Sequence, residues 1–320
     1  MTQALRALRF WGVRDCRPRL IKNRENAVFE VTDTCGNRAA LRLHRPGYQS
    51  DAAIRSELTW CEGLAKAGLA VPRPVPTLAG DVIAPGGRVA SMVAWCEGVP
   101  MGEGGVPLAW GAEEQIRLYH GLGEELARLH EASDALDLPP QFSRVTLDED
   151  ALLGDNPVWG RFWENPALSA AQAKLLQDAR IRLREILTAH RCAGGDFGLI
   201  HADALRENVF VRDGAVSLID FDDGGFGFRL YDLGVAMSQN WDAPNARHLA
   251  LALLQGYCAR RPISAAARAL LPAFTTLRAL AYCGWVIGRY PPDSAATRDY
   301  GARAVAAARI FLEGKSLFGA

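Results

Sequence analysis

The amino-acid sequence predicts a two-lobed α+β protein, with an antiparallel-sheet lobe over residues 1–95, a linker over 96–107 and a mostly helical lobe over 108–320. Three observations predict it. Short apolar runs separated by turn formers fill the first lobe, long runs with helical spacing begin at Ala112, and CEGVPMGEGGVP, rich in Gly and Pro, lies between them.

Taken in order, NAVFEV and RAALRL flank TDTCGN, whose Asp, Gly and Asn favour a turn, so the two runs predict a β-hairpin. A helix follows, with Asp51 as the expected N-cap. Its apolar face is Ile54, Leu58, Cys61, Leu64 and Ala65, and it ends near Gly68. VPRPVPT lacks too many N–H donors for a central strand and predicts an extended connection or an edge strand. GRVASMVAW predicts another strand. In the second lobe EEQIRLYHGLGEELARLHEAS, SAAQAKLLQDARIRLREILTAH, RHLALALLQGYCARR and AARALLPAFTTLRALAYCGWVIGRY each predict one long helix. The stretch from Leu199 to Phe221 breaks that pattern with short strand-like runs about a turn at Asp213-Gly214.

Composition narrows the function. With 49% hydrophobic and 22% charged residues in 320, the chain can bury a full core. Lys plus Arg balance Asp plus Glu at 36 each. No long-range field therefore draws it to nucleic acid or an anionic membrane, and an anionic ligand must be held by local groups. No segment reaches the roughly 20 apolar residues that a membrane span needs, and MTQALRALRFWGVRDCRP lacks the apolar region of a signal peptide. Seven cysteines without CxxC spacing point to reduced thiols in a cytoplasm rather than a disulfide framework or a zinc site.

The chemistry concentrates in GLIHADALRENVFV and the LIDFDDGGFG that follows it. Phosphoryl transfer from a nucleotide needs a carboxylate near the acceptor hydroxyl, oxygen ligands for Mg2+ and positive charge on the phosphates. The H-x-D-x-x-x-x-N spacing of His201, Asp203 and Asn208 supplies two of these on one loop, and Asp220 follows across a hairpin.

With these motifs, the chain resembles the aminoglycoside phosphotransferase and choline kinase superfamily, which has a protein-kinase-like fold. It is most similar to the bacterial small-molecule kinases that include type II homoserine kinase and the stress-response kinase. The resemblance runs from RENAVFEVTDTCGNRAALRLHRPGYQSDAAIRSEL to LRALAYCGWVIGR. It implies ATP and Mg2+ as cofactors, Asp203 as the residue that orients or deprotonates the acceptor hydroxyl, and Asn208 and Asp220 as metal ligands. His201 would be a scaffold residue. The cation that meets the phosphates would be Arg42, where the family usually has Lys, with Glu57 on the next helix to hold it. Arg24-Glu25-Asn26-Ala27 occupies the phosphate-cradling turn without a GxGxxG motif. Adenine would lie against the backbone of Ala94 and Cys96, with Val93 limiting the pocket's depth.

The catalytic loop departs from H-G-D-L-H-P-x-N at Ala202, Leu205 and Arg206, which offers Arg206 either as a γ-phosphate contact or as a solvated charge. Asp222 and Asp223 lie either near metal or substrate, or in a solvated turn before Gly224-Gly225; Asp232 is expected to cap a helix and tie the loop. Arg278, Tyr282, Trp285 and Arg289 recur at helical spacing and either line an acceptor pocket or belong to the core. The implied activity is transfer of the γ-phosphoryl group to a hydroxyl of a small metabolite, homoserine-like or another amino alcohol. A Ser/Thr protein kinase of the stress-response type and a nucleotide-binding pseudokinase are the alternatives.

Overall fold

Side-chain alternation decides the first sheet. In the computed structural model, which describes residues 2–14, 16–23 and 26–319, helix α1 (Thr2–Leu8) runs into a 3-10 turn (Arg9–Trp11). Strands β1 (Arg19–Asn23), β2 (Ala27–Thr32) and β3 (Arg38–Leu43) follow, then α2 (Asp51–Lys66), β4 (Ile83–Ala84) and β5 (Ala90–Ala94). They form one antiparallel sheet in the order β1-β2-β3-β5-β4. Along β3, Leu41 and Leu43 join Ala4, Leu8, Trp11, Phe29 and Met92 in one core. The residues between them face the other way, so Ala40 packs with Ile54, Leu58, Ile83 and Val93. The period of two therefore sends Arg42 to the face that Ala40 shares with α2.

Ser50, not the expected Asp51, caps α2: its side chain accepts from Ala53 N–H, and Asp51 is the first helical residue, where its charge suits the N-terminal dipole. Pro74 makes a single bridge to Val93, which is the extended connection that its missing donors dictate.

The chain divides into two units. The first comprises Met1–Gly98, Ala135–Arg144 and Ser217–Asp222; the second Val99–Asp134, Val145–Val216 and Asp223–Ala320. The second begins with β6 (Val99–Pro100), so the segment expected as a linker carries a strand, paired with β9 (Val209–Arg212). The remaining elements are α3 (Ala112–Asp134), β7 (Thr146–Leu147), α4 (Glu149–Leu153), α5 (Ala170–Cys192), β8 (Phe197–Ile200), β10 (Ala215–Leu218, whose last two residues are counted with the first unit), β11 (Gly225–Phe228), α6 (Arg229–Met237), α7 (Ala246–Arg260), α8 (Ala265–Arg268), α9 (Leu271–Trp285) and α10 (Ala295–Leu312). Two three-stranded sheets, β10-β9-β6 and β7-β11-β8, sit among the helices.

The last long helical run is two helices, because Pro272 lacks the N–H that would continue a helix and instead opens α9 in its first turn. Gly225, which follows the acidic pair read as one possible solvated turn, begins the buried strand β11. Close packing of α3 on α7 depends on Gly123 and Gly256: a Cβ on Gly256 would lie 1.9 Å from the His120 carbonyl oxygen, and one on Gly123 2.1 Å from that of Leu253.

Candidate active site

In the first unit the site is built around one buried cation. Arg42 is 8% exposed, and its Nη1 donates to Glu57 Oε1 from α2 at 2.5 Å. Its Nη2 lies 3.7 Å from Asp220 Oδ1 and 3.6 Å from Asp222 Oδ1, yet makes no hydrogen bond among the described residues. Burial works against the charge, but Glu57, Asp222 and Asp220 together hold the guanidinium pKa well above its ordinary value. Arg42 is therefore a fixed, permanent cation with one donor still to satisfy, which fits a phosphate oxygen. Asp220 takes φ +67°, a left-handed conformation rare for a residue with a Cβ, and keeps a side chain 40% exposed.

Asp222, placed by the sequence either near metal or substrate or in a solvated turn, is not a solvated residue. It is buried, its Oδ2 accepts from Asn26 Nδ2 at 3.1 Å, and its carbonyl accepts from Gln49 Nε2 and Arg144 Nη2. Asn26, expected in the phosphate turn, spends its amide on Asp222 and on the Arg45 N–H; Arg24 and Glu25 lie outside the described residues. Of the adenine positions, Val93 is buried in the α2-side core and the Ala94 N–H already donates to Arg73 O. The N–H of Cys96, in contrast, has no bonded acceptor among the described residues.

In the second unit the loop after β8 carries the reactive groups. Ala202 sits at φ +62°, where the related motif has Gly. Asp232 fixes this turn, its Oδ1 accepting from Ala202 N–H at 2.6 Å and its Oδ2 from His201 N–H at 2.8 Å and His130 Nε2 at 3.0 Å. It ties the loop as expected, but it lies inside α6 and does not cap it, since Phe228 holds the N-cap position. Burial alone would raise the Asp232 pKa, but the hydrogen bond from His130 and the neighbouring His130 and His201 bring it below the carboxylate norm, while burial lowers that of His130. An ionised Asp232 can only accept, so Nε2 of a neutral His130 carries the proton and its Nδ1 accepts from Tyr257 O–H at 2.9 Å.

That anchored turn presents Asp203. Its Oδ2 accepts from Asn208 Nδ2 at 2.7 Å, and its Oδ1 pairs with Arg278 of α9. Asn208 Nδ2 also donates to the Asp203 carbonyl at 2.9 Å, and among the described residues no group engages Asn208 Oδ1. Arg278, 3% exposed, lies over the rings of Tyr282 at 4.3 Å and Trp159 at 5.2 Å. Expected either to line an acceptor pocket or to belong to the core, it is buried and supplies a positive charge to Asp203. Tyr282 faces a cavity of about 700 Å3 within this unit, stacked on Tyr300 with ring centroids 5.1 Å apart. Arg206 is buried rather than solvated, and its guanidinium donates to Asn240 Oδ1 and the carbonyls of Val106 and Glu103. Sequence spacing could not reveal Trp159, Asn240 or the His130–Asp232 pair, because each acts through a contact distant in the chain.

Among the described residues no three His, Cys, Asp or Glu side chains gather as a metal site. Magnesium does not need that: it takes one or two protein oxygens with phosphate oxygens and water. In the first unit the open carboxylate of Asp220 is an oxygen of that kind, and in the second, taken by itself, so is the unengaged Oδ1 of Asn208.

A strand-borne cation paired with a helix glutamate, and a loop carboxylate tied to an asparagine five residues on, define a phosphotransferase of the kinase type. Residues 18–271 match the phosphotransferase enzyme family, and the chain belongs to it, within the aminoglycoside phosphotransferase and choline kinase superfamily; its acceptor is an alcohol group. It is 34% identical over 221 residues to a homoserine kinase of Methylobacterium radiotolerans, a match covering 66% of this chain and 61% of that one. It is similar to a microcompartment-associated aminopropanol kinase of known structure, with 30% identity and a TM-score of 0.83 over 99% of this chain and 98% of that one. An amicoumacin kinase solved with AMP-PNP, Ca2+ and Ami shares the fold at 19% identity, with a TM-score of 0.79 over 98% of this chain and 92% of that one.

Proposed function

We propose that the protein transfers the γ-phosphoryl group of ATP to the hydroxyl of a small metabolite of the homoserine or amino-alcohol type. The observation that carries this reading is the Asp203 carboxylate, held by Asn208 on one oxygen and Arg278 on the other. Two donors fix its direction, so the carboxylate is held in one orientation instead of rotating. With a cation beside it Asp203 is a weak base, which suits a loose transition state in which orienting the hydroxyl matters more than removing its proton early.

On the nucleotide side Arg42 would take a phosphate oxygen, held in place by Glu57, and the Cys96 N–H would meet adenine. Asp220 in the first unit and Asn208 in the second are the proposed magnesium ligands. When bound, the ion supplies positive charge against the phosphate oxygens. The intact Arg42–Glu57 pair also supports an active enzyme over a mute nucleotide-binding homologue.

Titration of ATP with and without Mg2+ tests the nucleotide half. Asp220→Ala should weaken Mg·ATP binding by about tenfold or more and leave metal-free ATP binding unchanged, since removing a metal ligand touches only the first. Equal Mg·ATP affinities for the variant and the parent would remove Asp220 from the role.

A further inference from the structure

Arg278 holds one oxygen of Asp203, and the residues that hold Arg278 in turn lie in the same unit. The guanidinium is buried, its Nη2 is given to Asp203 Oδ1, and its Nε has no hydrogen-bond partner among the described residues. The ion pair thus pins one corner of a planar group, and the rings beside it set the plane. Tyr282, one turn further along α9, lies 4.3 Å from the guanidinium carbon. Trp159 lies 5.2 Å from the same carbon but comes from the segment between α4 and α5.

Backbone contacts give Trp159 a fixed place against α9. Gly160 sits at φ +90°, its N–H bonds the Pro157 carbonyl at 2.8 Å, and the Val158 N–H bonds the Ala151 carbonyl at 2.8 Å. The chain there meets α9 at Gly284. A Cβ on Gly160 would lie 3.0 Å from the Gly284 carbonyl oxygen, and one on Gly284 would lie 2.7 Å from that of Trp159. The segment that carries the indole is therefore docked on the helix that carries Arg278, six residues away. The indole is 7% exposed and stacks on Tyr231 of α6, with centroids 5.9 Å and planes 19° apart.

We propose that Trp159 is a positioning residue for phosphoryl transfer. By facing the Arg278 guanidinium it keeps the cation on Asp203 Oδ1, and through that ion pair it sets the direction in which Asp203 meets the acceptor hydroxyl. An aliphatic side chain of similar bulk could fill the space, but it would offer no π face to the cation. A guanidinium free to tilt would loosen Oδ1 while Asn208 still held Oδ2. The effect on turnover rests on the alcohol-kinase reading; the link from Trp159 to Asp203 can be measured without it.

The turnover arm uses Mg·ATP with homoserine or 3-aminopropan-1-ol, whichever the parent protein phosphorylates faster. Trp159→Leu should lower kcat about 10- to 100-fold, the scale of a small misplacement of a reacting group, with the KM for Mg·ATP within about twofold of the parent's. Trp159→Phe, which keeps a ring face, should recover most of the loss. In Arg278→Gln protein the same Trp159→Leu change should cost less than about threefold, because its route to Asp203 is gone. Equal losses for leucine and phenylalanine, or the full loss again beside Arg278→Gln, would overturn the proposal. The second arm needs no acceptor. Trp159→Leu and Asp203→Asn together should not shift the urea midpoint by the sum of their separate shifts, and that coupling should vanish in Arg278→Gln protein. Where the leucine variant does not fold, Trp159→Met fills the site without a ring and serves in both arms. Additive midpoints in the parent background also overturn the proposal. Coupled midpoints without phosphoryl transfer to any alcohol would uphold the link from Trp159 to Asp203 and reject the kinase reading instead.

Discussion

At the scale of single residues, the site stores backbone strain where a side chain must be aimed. Ala202 and Asp220 both sit in the left-handed region, which costs a residue with a Cβ about 1–2 kcal/mol. Asp232 holds the first of these turns with two charge-assisted hydrogen bonds to consecutive N–H groups. Ala202→Gly should therefore be neutral or stabilise by up to about 1 kcal/mol, while Ala202→Val, β-branched and buried, should destabilise by about 2 kcal/mol or more in urea melts. A destabilised glycine variant would mean that the φ of Ala202 is not strained. Arg278 makes a second residue-scale case. Arg278→Gln removes the cation from Asp203 Oδ1 while keeping a donor, so the acidic limb of the kcat pH profile should move to higher pH, by about one unit. A fall in kcat with an unmoved profile would assign Arg278 to packing alone.

Among the elements, the sequence made legible whatever follows from local period. The β2–β3 hairpin, α2, α3, α5 and α7 lie where their apolar spacing puts them, and HADALREN with IDFDD marks the catalytic loop. What escaped depends on partners far along the chain. Strand β1 is exposed at every position, with no buried face to leave a pattern, and pairs only with β2. Strand β11 reads as turn residues because its glycines are required by close neighbours, a Cβ on Gly225 falling 2.3 Å from the Val145 carbonyl. For Asp222 the clustered acidic letters leave a place near metal or substrate and a solvated turn both open, because its partners Asn26 and Arg42 are about two hundred residues earlier. The α3–α7 pairing gives a prediction at this scale. Gly256→Ala must push a Cβ into the His120 carbonyl, so the helices must separate, at a cost of about 1–3 kcal/mol and several degrees in Tm. An unchanged Tm would show that the crossing tolerates a wider gap.

For the whole molecule, buried histidines set the acid limit of stability. Burial, then the charges of Arg42 and Arg88, lower the His44 pKa from 6.5 to about 3, and burial lowers that of His130 too. The unfolded chain then binds protons that the folded one refuses, so stability is full above pH 6.5 and declines as pH falls toward 3. His44 alone should cost about 2 kcal/mol by pH 5. The denaturant midpoint should fall between pH 7 and pH 5, and His44→Gln, which can still bond Ser91 Oγ, should flatten that slope. An equal slope in the variant would place the acid sensitivity elsewhere. Taken as a machine, the protein has one task to perform, moving a phosphoryl group onto an alcohol, and on the reading proposed above Asp203 orients that alcohol. Phosphorus NMR of the protein with Mg·ATP and 3-aminopropan-1-ol observes this directly. The expected result is a growing phosphomonoester signal, slowed by Asp203→Asn by about 10²–10⁴, while Mg·ATP binding is retained. A phosphomonoester formed at equal rates by both proteins, or inorganic phosphate as the sole product of each, would contradict it.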